Sequence, residues 1–123
     1  MSAQVAVLEP ELDRLEGLWS DGLADTYHAY LEATAQPKLA LAAALIEVGL
    51  RLQGLGGHAA PPTTLLMGDL CLSRGSRLLA DHATLSVQVA FARAIELLSA
   101  RAASGEPAPP ARQLLNEALG ATR

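Results

Sequence analysis

Few of the side chains that could do chemistry stand at a spacing that brings them together. His28, His58 and His82 lie on separate segments. No two of them have ligand spacing, so each reads as a surface or capping histidine. Cys71 sits in an apolar run with Arg74 as its only near basic residue. A reactive thiol needs electropositive surroundings, so Cys71 reads as a small buried hydrophobe. The stretch "GLGGH", residues 54–58, lacks the preceding strand and the Lys-Ser/Thr pair of a phosphate loop. Glu9, Glu11, Asp13 and Glu16 give an N-terminal helix an acidic outer face, either solvated or a dock for a basic partner. Trp19 reads as a packing anchor or an interface hot spot.

The informative stretch is "TTLLMGDLCLSRGSRLLADH", from Thr63 to His82. Its apolar content and length read as a helix, yet Gly68 and Asp69 stand side by side within it. Gly68, Cys71 and Gly75 fall at i, i+3 and i+7, one stripe of small residues that lets a second helix approach closely. Each helical glycine costs about 0.5–1 kcal/mol relative to alanine, so a packing or functional gain should offset it. Asp69, Ser73 and Arg77 form a separate polar stripe at i, i+4 and i+8. Asp69 can reach Ser73, and Arg77 can reach Asp81. This stripe is either a solvated face or a polar strip buried against another helix, as at a subunit contact. The candidate interface on this helix is Leu66, Gly68, Asp69, Leu70, Ser73, Gly75 and Arg77. Phe91, on the following helix, joins it.

The elements that must position these residues are all helical. Ala and Leu occur 24 times each, against two Ile, five Val and four aromatic residues. The first pair are strong helix formers, and the others favour strands. A single all-α domain over residues 1–123 follows, a compact bundle of five to six helices. A first helix is predicted from Glu9-Pro10 to Trp19, with Leu8, Leu12, Leu15 and Leu18 on one stripe. A second spans Leu23 to Thr34. The third runs from Pro37 to Leu52 with Leu41, Leu45, Val48 and Leu52 on its stripe. Ala42 to Ala44 add small surface there, and Glu47 pairs with Arg51 at i,i+4. "GLGGHAAPP" is the clearest break. A fourth helix starts at Pro61-Pro62 and ends near Asp81, and a fifth runs from Thr84 to Ala103. "SGEPAPP" is a stiff connector. The last helix, Ala111 to Leu119, stops at Gly120, where a left-handed cap is expected.

Composition excludes several classes. The formal net charge is -4 with a pI near 5.2, which argues against a nucleic-acid surface. The apolar run "LALAAALIEVGL" is broken by Glu47 and Arg51 and is too short to span a bilayer. One Cys and no signal-peptide pattern lead to the expectation of a cytoplasmic protein.

The order of elements resembles the all-trans polyprenyl diphosphate synthases, over roughly Leu39 to Glu106. "AAALIEVGLRLQGLGG" sits where that family has a helix leading to an aspartate-rich motif. "TTLLMGDLCLSRGSRLLAD" is similar to its Gly-Asp helix, and "FARAIELLSARAASGE" to the next, ending at Gly105-Glu106. The departures are equally specific. A synthase holds its allylic diphosphate through magnesium ions bridged by clustered carboxylates, because hard cations want several oxygen ligands. After Glu47 this chain offers "VGLRLQGLGGH", without an Asp. Between Met1 and Gln36 the only basic residue is Arg14. The pattern therefore looks like the small subunit of a two-component hexaprenyl or heptaprenyl synthase. The resemblance implies a catalytic large subunit as partner, with magnesium and prenyl diphosphates bound there and no cofactor here. It also implies an influence on product length in isoprenoid and quinone side-chain synthesis, with no catalysis by this chain alone. A homodimer of the isolated chain is compatible with it. Two other readings stay open, a helical interaction or adaptor module unrelated to prenyl transfer, and an enzyme whose site assembles from several copies.

Overall fold

The computed structural model describes residues 22–53 and 62–121. Among these residues five helices follow one another, α1 Leu23–Thr34, α2 Pro37–Leu52, α3 Pro62–His82, α4 Leu85–Ser104 and α5 Ala111–Leu119. No strand occurs among the described residues, and the protein is an all-helical bundle. The helix predicted at Glu9–Trp19 and the break after Gln53 lie outside the described residues.

Pro37 occupies the first turn of α2, where its missing N–H would have had no partner. Every residue of α2 from Leu39 to Leu50 is buried. A helix apolar on all sides is a core helix, so the single stripe expected on α2 is too narrow a reading. The run Ala42–Ala43–Ala44, fully buried, lets neighbours close in on more than one side. α2 packs most extensively on α3, then on α1, and also on α5, while α4 packs chiefly on α5.

The helix ends follow local chemistry. Thr84 caps α4, its hydroxyl accepting from the Val87 N–H at 3.2 Å. Gly105, at φ 74°, ends α4 in the left-handed region, where glycine carries no Cβ penalty. Gly120 is different. It has φ -83° and lies in the right-handed region, so the left-handed cap expected there does not form. Instead its N–H reaches the carbonyls of Asn116 and Glu117. Ala35 takes the left-handed position after α1, at φ 55°. No helix among the described residues is long and apolar enough to cross a membrane.

Candidate functional site

The glycines of α3 have one job in common. A Cβ on Gly75 would stand 2.7 Å from Ile46 Cγ1 and 2.9 Å from the Ala42 carbonyl oxygen. One on Gly68 would stand 2.7 Å from Gln53 Cγ and 3.0 Å from the Gly49 carbonyl oxygen. Gly49 returns the contact, since its Cβ would meet Leu72 Cγ at 2.9 Å and the Gly68 carbonyl oxygen at 3.0 Å. The backbones of α2 and α3 therefore touch, with Cys71 fully buried between Gly68 and Gly75. The neighbour that Gly68 admits is α2 of the same chain. Gly49 was not among the residues singled out from sequence, although a glycine inside "IEVGLRL" carries the same helical penalty as Gly68.

Helical geometry then fixes what faces outward. At 3.6 residues per turn, Leu66, Leu70, Ser73 and Arg77 lie opposite the buried stripe of Gly68, Cys71, Gly75, Leu78 and Leu79. Leu66 is 67% exposed, and Leu65 beside it 39%. Ser73 and Arg77 are exposed and Leu70 is half-buried. Asp69 lies on the flank, where its carboxylate accepts a hydrogen bond from the Gln53 side chain. That bond ties α3 to the end of α2, rather than to Ser73 as the sequence spacing allowed. Phe91 is buried in the chain's own core on α4. The candidate set thus divides. Gly68, Gly75 and Phe91 are covered within the chain, and Leu66, Leu70, Ser73 and Arg77 form a surface.

A second cluster was not legible in the sequence. Glu47 is nine-tenths buried in α2. It accepts from the Tyr30 hydroxyl at 2.7 Å. Arg112 donates to both its oxygens, through Nε at 3.2 Å and Nη2 at 2.8 Å. Arg51 lies further off, at 4.0 Å. The guanidinium of Arg112 also stands 5.8 Å from the centre of the Tyr30 ring, within cation–π range. One carboxylate thus joins α1, α2 and α5. Burial, and then the hydrogen bond to Glu47, push the Tyr30 phenol well above its ordinary value of 10.0. Burial also raises Tyr27. The folded state therefore holds the phenolic proton more tightly than the unfolded chain. This contribution to stability is complete below pH 10 and is lost as pH rises beyond it. Thermal melts above pH 10 should fall, and Tyr30→Phe should flatten that fall. An unchanged slope in the variant would show that Tyr30 does not carry it.

Beside Glu47 lies an open cavity of about 570 Å³. Leu50, Leu98 and Ala102 line it together with the connector and first turn of α5, from Ala108 to Arg112, and with the charged Arg51 and Glu106. Among the described residues, no group of three or more His, Cys, Asp or Glu side chains could hold a metal ion. His28 and His82 are exposed on different helices, while His58 lies outside the described residues. Comparison with protein-family models, with curated proteins and with solved structures returns no match.

Proposed function

We propose that the chain is a non-catalytic helical subunit that binds a catalytic polyprenyl diphosphate synthase chain and influences the length of its product. The outward face of α3 meets the partner, and magnesium and prenyl diphosphates are held by that partner. The observation that carries this reading is the division of α3. Its small-residue face is filled by α2 of the same chain, while Leu66 stands 67% exposed on the opposite side. Leu66 and the neighbouring Leu65, 39% exposed, form an adjoining apolar pair on a polar-rimmed face, and exposed apolar patches rimmed by polar residues mark protein contacts. The partner's identity rests on the sequence resemblance over Leu39–Glu106. A helical adaptor with a different partner is the second reading. It is favoured by a further apolar pair on α4, Leu85 and Val89, 74% and 39% exposed, which the resemblance does not explain.

The test is co-expression with the large subunit of a two-component synthase, followed by size-exclusion chromatography. The two chains should elute together. Leu66→Glu should weaken the complex by about tenfold or more, since every 1.4 kcal/mol is a factor of about ten, without lowering the melting temperature of the isolated chain. Separate elution of the wild-type chains would refute the proposal. So would a complex indifferent to Leu66→Glu and to Ser73→Arg.

A further inference from the structure

Among the described residues, the large apolar side chains left exposed fall at the two ends of α3. Leu65 and Leu66 stand near its start, and Leu85 and Val89 stand just past its end, on the first turns of α4. The arc between them is polar and mixed in charge. Leu66, Asp69, Ser73, Arg77 and Ala80 are all exposed, and at 3.6 residues per turn they share one side of α3. Asp69 and Arg77 lie four residues either side of Ser73, about 6 Å along the axis at 1.5 Å per residue. Such an arc is complementary to itself read backwards. When a copy of α3 lies antiparallel on it with Ser73 at the two-fold axis, Asp69 meets the partner's Arg77, and Arg77 meets the partner's Asp69. Leu66 meets the partner's Ala80, and its side chain, tilted toward the helix N-terminus, leans toward the corner that carries the partner's Leu85. A closed two-fold contact uses the same patch on both copies, and this patch meets that condition at its centre and at its ends. A parallel pairing does not, since it sets Asp69 on Asp69 and Arg77 on Arg77.

We infer that the chain pairs with a second copy of itself through the outward face of α3, antiparallel across a two-fold axis, with the Asp69–Arg77 pair made twice. One helix face with its two corners is smaller than a standard interface of about 800 Å² per partner, so the dimer is weak and the chain is monomeric when dilute. The contact gives Leu85 a role that the contact with a synthase chain leaves it without. The inference does not rest on that contact. Both use α3, so the two associations exclude one another, and the test needs this chain alone.

Sedimentation equilibrium of the chain, from about 10 μM to about 1 mM, tests it. A monomer–dimer equilibrium should appear and weaken as salt is added, because the charge pairs lie at the surface. Asp69→Arg and Arg77→Asp should each weaken the dimer by about tenfold or more, since symmetry repeats the pair and each reversal turns an attraction into a repulsion. The two single variants mixed together should associate again, because each supplies the charge the other lacks, and so should the double variant. Leu85→Ser should also weaken the dimer. Arg77 and Leu85 are exposed, so their variants serve if Asp69→Arg, which breaks the bond to Gln53, does not fold. A chain that stays monomeric at the highest concentration, or a dimer indifferent to both charge reversals, would overturn the inference. Reversals that weaken the dimer and fail to restore it when combined would overturn the antiparallel register.

Discussion

Gly75→Leu should be the most damaging single change in α3, lowering stability by about 2–3 kcal/mol. Losing a helical glycine would gain up to about 1 kcal/mol, so the sign rests on what the new side chain meets. The first atom alone would stand 2.7 Å from Ile46 Cγ1, 2.9 Å from the Ala42 carbonyl oxygen and 3.3 Å from Leu45 Cβ. The Ala42 carbonyl belongs to the backbone of a fully buried helix, so it cannot yield without lifting α3 off α2. Gly68→Leu should do less harm. Its nearest obstacle, at 2.7 Å, is Gln53 Cγ, in a side chain at the end of α2 that can turn by giving up its bond to Asp69, though the Gly49 carbonyl oxygen at 3.0 Å still limits the relief. The contact lies within one chain, so the loss should not depend on protein concentration. In a domain of this size the Gly75 variant should melt several degrees lower, at roughly 3–6 °C per kcal/mol. A Gly75→Leu protein that melts at or above the wild type would show that α2 and α3 do not meet there.

Glu47→Ala should cost about 3 kcal/mol or more, the range for breaking a buried ion pair from one side. The loss is unequal among its partners. Arg112 is 46% exposed, so it can turn to water. Tyr30 is fully buried, and its hydroxyl donates to Glu47. Without that acceptor the phenol keeps a buried donor that costs about 1–3 kcal/mol, and the missing methylene and carboxylate leave a void. Adding Tyr30→Phe should therefore recover part of the loss, because the orphaned hydroxyl goes with it. Chemical denaturation of the two variants gives both quantities. A Glu47→Ala protein within 1 kcal/mol of wild type, on the scale set by that burial cost, would mean the cluster contributes little to the fold.

Local signals are where sequence reasoning served. The bounds of α1, α2 and α5 are those read from Leu23, Pro37 and the "SGEPAPP" connector. Proline in a first turn and breaks between apolar runs act over a few residues, and no distant contact opposes them. The small-residue stripe of α3 was legible for the same reason, since three residues at helical spacing share a face in any helix. Which helix would lie on that face was not. The answer depends on Gly49 and Ala42, which belong to a stretch that shows no polar side to set its orientation. Glu47 was legible only as a break in an apolar run and a partner for Arg51. Its stronger bonds go to Tyr30 and Arg112, 17 and 65 residues away, a pairing that no local pattern encodes. Gly120 misled because a helix end can also close on its own last carbonyls, as this one does.

We propose that this chain modifies the product of a partner rather than making one. Prenyl transfer from farnesyl diphosphate and isopentenyl diphosphate, with magnesium, measures it directly. The assay is run with this chain alone, with a synthase large subunit alone, and with both. No product is expected from this chain alone, and a shift in chain length, or an onset of activity, is expected when the two are combined. Turnover by the pure chain, or a product distribution from the mixture identical to that of the large subunit alone, would contradict it.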